Sequence, residues 1–205
     1  MSLKVTIIRS DQYKESKWSG GITKELAIYP ENTLYAKRDF IWRLSSATVE
    51  LEHSVFTKLE DYERILMILS GELIVRHNGE PPVHLKQFGQ DFFDGAWDTE
   101  SFGKVLDFNL MIRKGYGKGR VVHQLIEDSV VLFERGNMPG ATTRFALAVD
   151  GPLIIETETA GRYHLDPFDS LIIEGTPGKD DSILATTAAP NRGANVVIAE
   201  IAVFQ

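Results

Sequence analysis

Displaced by 80 positions, the 205-residue chain matches itself without a gap. Arg64, Gly71, Leu73, Ile74, His84, Leu85, Phe88 and Gly95 recur as Arg144, Gly151, Leu153, Ile154, His164, Leu165, Phe168 and Gly175. That is eight identities in the 32 positions from 64 to 95, where ordinary residue usage gives roughly two by chance. Apolar class is kept as well, with Val75 opposite Ile155, Phe92 opposite Ile172 and Phe93 opposite Ile173. A segment repeated within one chain is one supersecondary unit built twice, burying the same faces each time. The fold must therefore divide into two like halves. The glycine-rich Lys114-Gly115-Tyr116-Gly117-Lys118-Gly119-Arg120 between the copies reads as a flexible connector. It puts the halves at residues 1–118 and 119–205.

Short β-branched and aromatic runs, separated by Gly, Pro, Asn and Asp, predict an all-β fold. The expected strands of the first half are Lys4–Arg9, Thr23–Tyr29, Phe40–Glu50, Glu63–Ser70, Glu72–His77 and Val105–Arg113. The second half offers Ser129–Glu134, Arg144–Val149, Leu153–Glu158, Ser170–Glu174 and Asn195–Phe204. Asn78-Gly79 predicts a tight hairpin turn, because both central residues of such a turn need positive φ.

Composition removes whole classes of function. With 29 acidic and 22 basic residues the net charge is -7, the wrong sign for a surface that attracts phosphates, so no nucleic-acid partner is expected. Cysteine is absent, which excludes disulfides, thiolate metal sites and a cysteine nucleophile and fits a cytoplasmic protein. The apolar run at the amino terminus is too short for a signal peptide, and no segment reaches the roughly 20 apolar residues of a membrane helix. No P-loop, dinucleotide fingerprint or Gly-x-Ser-x-Gly elbow is present. The five histidines are scattered, and His84 and His164, duplicated by the repeat, read as strand or turn caps.

Polar residues at alternate strand positions single out the first half. Period-2 alternation puts Arg43, Ser45 and Ala47 on one face of their strand and Trp42 and Leu44 on the other. The same rule groups Asp107, Asn109 and Met111 against Phe108 and Leu110. That polar face lines either solvent or a cavity. In a cavity, Arg43 and Arg64 make a donor fork for a carboxylate, Ser45, Asn109 and Thr23 add hydrogen bonds, and Asp107 or Glu25 holds an arginine or meets an amino group. Trp18 followed by Ser19-Gly20-Gly21 allows close approach to the backbone. Asp94, in Phe92-Phe93-Asp94-Gly95, ends a strand or rims the cavity.

Each repeat has an apolar strand, a Gly bend, a second strand, a polar loop and a His-Leu-x-x-Phe stretch leading to Gly, a layout that resembles the core of a cupin. Many cupins bind a metal through His-x-His and a Glu seven residues before a Gly. Counting back from Gly71, that Glu position holds Arg64, with Lys58 and Glu60 near the histidine positions. Arg144 takes the same place in the second copy. A cation donates no lone pair to a metal, so neither metal nor other cofactor is expected.

Trp18-x-Gly20-Gly21-x-Thr23-x-Glu25, Trp42-Arg43-Leu44-Ser45-Ser46-Ala47, Arg64 before an apolar run, Phe93-Asp94-Gly95 and Asp107-Phe108-Asn109-Leu110-Met111 together resemble the HutD/Ves family of cupin-fold proteins. The resemblance covers about residues 18–113; many members carry a longer Trp-x-Asn-Gly-Gly-Gly stretch, whose Asn is missing here. It implies a bicupin: two double-stranded β-helix halves of the RmlC-like jelly-roll type. The first half would carry the pocket and the second would be structural. It also implies a regulatory or metabolite-binding role beside histidine degradation, with urocanate or formylated and formimino glutamates as candidate ligands. The expected ligand-binding set is Arg43, Ser45, Arg64, Asn109, Asp107, Thr23, Glu25 and Trp18. The alternatives are a metal-independent isomerase or hydrolase with Glu25 or Asp107 as general base, and an interaction module using its acidic surface. Edge strands of such barrels offer a route to a homodimer.

Overall fold

The computed structural model describes residues 3–133, 138, 140–157, 160–175, 183–188 and 192–204. Strands run through it almost without interruption. In chain order they are β1 (Lys4–Ile8), β2 (Lys14–Trp18), β3 (Gly21–Tyr29), β4 (Trp42–Val49), β5 (His53–Val55), β6 (Tyr62–Gly71), β7 (Leu73–His77), β8 (Val83–Leu85), β9 (Gln90–Asp94) and β10 (Thr99–Phe102). There follow β11 (Val105–Arg113), β12 (Gly117–Ile126), β13 (Ser129–Val131), β14 (Thr143–Ala148), β15 (Leu153–Thr157), β16 (Gly161–Leu165), β17 (Ser170–Glu174), β18 (Ile183–Thr187) and β19 (Ala194–Val203). The helical element described is one 3-10 turn, Tyr35–Lys37. Among the described residues no helix is long and apolar enough to cross a membrane.

Two compact units result. The first comprises Lys14–Gly117 with Phe204–Gln205, the second Met1–Tyr13 with Lys118–Val203. In the first, a six-stranded sheet β2-β3-β4-β11-β6-β9 packs on a four-stranded sheet β5-β10-β7-β8. Leu66, Ile68 and Phe93 of one meet Leu73, Val75 and Leu85 of the other in the core. The second has sheets β1-β17-β14-β19-β12 and β13-β18-β15-β16, with Ala146, Ile173 and Ile198 facing Leu153, Ile155 and Ala185.

The residues explain the two kinds of sheet. In β7, Leu73, Val75 and His77 are buried while Ile74 and Arg76 are half exposed, so one face is wet. β15 repeats that pattern. In β6 and β14 apolar residues run on without alternation and both faces are buried. Asn78 and Gly79 both take positive φ, 50° and 75°, in the hairpin joining β7 to β8.

The 80-residue offset is visible in backbone detail. Phe88 and Phe168 both take left-handed conformations, φ 61° and 68°. Phe88 N–H donates to the Ile68 carbonyl and Phe168 N–H to the Ala148 carbonyl. Gly95 N–H and Gly175 N–H likewise bond the carbonyls of Tyr62 and Thr142.

Two expectations need correction. Lys4–Arg9 does not belong with the first half: β1 pairs antiparallel with β17 in the second unit, from Lys4 opposite Glu174 to Ile8 opposite Ser170. The glycine-rich connector is not a free linker either, since from Gly117 it is β12, the neighbour of β19. Local composition does not report pairing to a partner strand far along the chain, such as that of Lys4 with Glu174. β2, β5, β8, β10, β16 and β18 also lack a sequence signal; all are three to five residues long, too short for a period to show. Glu134 and Glu158, the expected ends of two strands, lie outside the described residues.

Asp169 fastens β1. Its buried carboxylate accepts from Arg9 Nη1 at 2.6 Å, Ser10 N–H at 2.8 Å and Asp166 N–H at 3.0 Å. Burial pushes the carboxyl upward, but the Arg9 bond and the two backbone donors outweigh it and hold it below the usual range. A carboxylate with a depressed folded pKa stabilises above the unfolded value of about 4, and that contribution is lost as pH falls through the folded value. Asp169→Asn is therefore expected to cost about 1–3 kcal/mol in denaturant melts near pH 7, the gap closing toward about pH 3.

Candidate functional site

The face of β4 carrying Arg43, Ser45, Ala47 and Val49 lines a cavity of about 240 Å³ in the first unit. β11 adds Asp107, Asn109 and Met111, and β6 adds Arg64. Register brings these together: Asn109 stands opposite Ser45, and Met111 stands opposite both Arg43 and Arg64. Cross-strand partners share a face, so one polar stripe crosses three strands. Trp42, Leu44, Phe108 and Leu110 on the other face are buried too. Ser54 and Val55 of β5, with Phe56 and Thr57 just beyond, close the opposite wall. Trp18 and Val55 are exposed and stand at the mouth.

Two guanidinium groups are buried here, Arg43 at 4% exposure and Arg64 at 8%. Arg43 Nε donates to Glu25 Oε2 at 2.8 Å, and its guanidinium lies 4.4 Å from the centre of the Tyr35 ring. Arg64 is held differently, 4.8 Å from the Phe56 ring and 5.1 Å from Phe93. Aromatic faces attract cations but supply no hydrogen-bond acceptor. Among the described residues Arg64 Nε has no hydrogen-bond partner, and neither have Asn109 Oδ1 or Ser54 Oγ. Burial lowers the Arg64 pKa to about 10, with Tyr35 and Asp107 opposing the fall, so the group stays cationic at neutral pH.

Asp107 accepts from Ala47 N–H at 2.9 Å through Oδ1, while its backbone carbonyl takes the Ser46 hydroxyl at 2.6 Å. Desolvation raises its carboxyl to about 6, although Ala47 N–H, Arg64 and Arg43 pull it down. The cavity is thus lined by two cations, a carboxyl group raised by burial to about 6 and an unpaired amide oxygen.

Of the eight residues expected from sequence, Trp18, Thr23, Arg43, Ser45, Arg64, Asp107 and Asn109 line the cavity. Glu25 lies behind, as the partner of Arg43. Trp18 covers its own backbone: a Cβ on Gly20 would meet the Trp18 ring at 2.1 Å. A Cβ on Gly21, whose φ is +150°, would meet the Thr48 carbonyl oxygen at 1.9 Å. The close approach the glycines permit is thus internal. Asp94 is not on the rim, because it holds Lys114 Nζ at 2.6 Å and Ala96 N–H at 2.8 Å. Sequence reasoning missed Ser16, Tyr35, Ser54 and Phe56, which come from two short edge strands, a 3-10 turn and a loop without periodicity. His84 and His164 occupy matching places, opposite Ile74 and Ile154. Among the described residues no cluster of three His, Asp or Glu could hold a metal.

The raised Asp107 pKa has a definite sign for stability. The folded chain keeps a proton that the unfolded chain releases between about pH 4 and about pH 6, so this group's contribution falls as pH rises through that window. Asp107→Asn keeps an acceptor for Ala47 N–H and removes the charge. It is expected to melt higher than the parent near pH 7.5 and level with it near pH 4; a lower melting point near neutral pH would show that the arginines fully offset the buried charge.

Solved structures share this architecture. A conserved protein of unknown function from Pseudomonas aeruginosa PAO1 superposes with TM-score 0.82 at 24% identity, covering 98% of this chain and 100% of that one. HutD from Pseudomonas fluorescens SBW25 gives 0.76 at 21%, with the same coverages. The pirin YhhW from Escherichia coli, in complex with nickel(II), gives 0.64 at 10%, covering 96% and 98%. The fold is thus all-β and cupin-like. No curated protein matches the chain. The family model for HutD matches residues 10–190, nearly the whole of the sequence, and the chain belongs to the HutD family.

Proposed function

We propose that this protein is a bicupin that binds a small carboxylate metabolite through Arg43 and Arg64, as an accessory or regulatory protein of histidine utilisation in the cytoplasm. The supporting observation is the unsatisfied Arg64 Nε, on a side chain that lines the cavity. A buried donor without a partner costs about 1–3 kcal/mol, more when charged, and a carboxylate repays that cost with charge-assisted hydrogen bonds. Asn109 Oδ1 and Ser54 Oγ, also unpartnered, suit a second polar group on the same ligand. The donor set favours an anion over a metal ion, since two guanidinium groups stand where a cation would need lone pairs. Urocanate and formylated or formimino glutamates are the acids that the family's association suggests, and a cavity of about 240 Å³ suits acids of that size. The second unit plays a structural part.

Titration calorimetry with urocanate and N-formylglutamate tests this reading. Binding of one acid is expected, weakened about 10- to 100-fold in Arg64→Met, which keeps side-chain bulk and removes the donors. Silence from both acids, with no thermal shift, or undiminished binding by Arg64→Met, would sink it.

A second reading, a metal-independent isomerase or hydrolase, draws on Asp107 alone: a carboxyl near pH 6 within the cavity is poised as a general base. Turnover of either acid, abolished in Asp107→Asn while binding persists, would establish it.

A further inference from the structure

The two units treat the same strand position in opposite ways. In the second unit β14, β19 and β12 lie side by side, as β6, β11 and β4 do in the first. Arg144 stands opposite Glu200 across β14 and β19, as Arg64 stands opposite Met111 across β6 and β11. Glu200 is 1% exposed. Arg120 Nε, from β12, donates to its Oε2 at 2.5 Å, and Arg144 Nε lies 3.7 Å from its Oε1. A carboxylate on the central strand is thus hydrogen-bonded by the arginine of one flanking strand and ion-paired with that of the other, although Arg144 Nε, like Arg64 Nε, has no hydrogen-bond partner among the described residues. Ile198, opposite Ala146, holds the place that Asn109 holds opposite Leu66, so the polar stripe is otherwise erased.

The first unit keeps both arginines and lacks the carboxylate. Met111 faces Arg43 on one side and Arg64 on the other, and a thioether cannot pair with either cation. We infer that the carboxylate of the first unit's ligand lies over Met111 between Arg43 and Arg64, in the place that the chain's own Glu200 takes between Arg120 and Arg144. The second unit is closed to the same ligand by its own side chain. The first statement rests on the carboxylate reading above; the arginine geometry behind it can be tested separately.

Met111 also packs on Phe40, Leu59 and Tyr62, so its replacement needs a control of equal length. Met111→Glu is compared with Met111→Gln. The glutamate carboxylate is expected to pre-empt the site, so that Met111→Glu binds urocanate or N-formylglutamate at least about tenfold more weakly than Met111→Gln and melts no lower near pH 7.5. Equal affinity in the two variants, or a lower melting point for the glutamate, overturns the inference. If the parent binds neither acid, the function proposed above fails, and the melting comparison alone still decides whether a carboxylate fits between these arginines. In the second unit, Glu200→Ala is expected to gain more thermal stability from acetate than from chloride at equal ionic strength, by a margin the parent lacks. No such margin would show that the Glu200 position does not take a free carboxylate, and the parallel would fall.

Discussion

Burying a guanidinium inside a β-sandwich is the constraint around which the first unit is arranged. Taking such a cation out of water costs several kcal/mol unless charge and hydrogen bonds are returned to it. Arg43 recovers them from Glu25 and leans on Tyr35. Arg64 recovers only part, from the faces of Phe56 and Phe93 and from the field of Asp107. It sits among the apolar, buried residues Ile65 to Leu69 of its strand, so it cannot turn outward to water without breaking the register of β6. Its charge is fixed in place by the packing of its neighbours, and the cavity beside it is the consequence.

The second unit shows the same scaffold with the charge closed off. Arg144 occupies the repeat position, and Glu200 with Arg120 completes an ion triad in which Arg144 and Glu200 are buried and Arg120 is partly exposed. Burial lowers the Arg144 pKa and Glu200 opposes that fall. Around the triad the interior is apolar, with Val196, Ile198, Leu171 and Ile173 filling the space between the sheets. One strand pairing therefore accommodates either an internal salt bridge or a cavity beside the arginine. The choice turns on whether the residue opposite the arginine is Glu or Met.

Much of the cavity could be read from periodicity. Arg43, Ser45 and Ala47, and likewise Asp107, Asn109 and Met111, sit two apart, and a pleated strand sends such residues to one side whatever surrounds it. The hairpin at Asn78-Gly79 was equally legible, because few other residues tolerate its backbone. Other features were not. Tyr35 reaches Arg43 from a 3-10 turn, Ser54 and Phe56 come from a three-residue strand and the loop after it, and none carries a periodic signature. That Glu25 rather than Asp107 bonds Arg43 depends on the pairing of β3 with β4, which sets Glu25 opposite Ser45.

The sequence by itself determined that one segment recurs at an offset of 80 residues, that polar side chains gather on one face of two strands in the first half, and that an arginine stands at the repeated position in both copies. These follow from local rules, the two-residue period of a strand and the chemistry of each side chain. Tertiary structure alone decided that the polar face looks into a cavity, that β1 joins the second unit, and that a buried Glu200 stands opposite Arg144 where Met111 stands opposite Arg64. The reason is physical: a strand's period fixes which residues share a side, but only pairing between distant strands fixes what that side confronts.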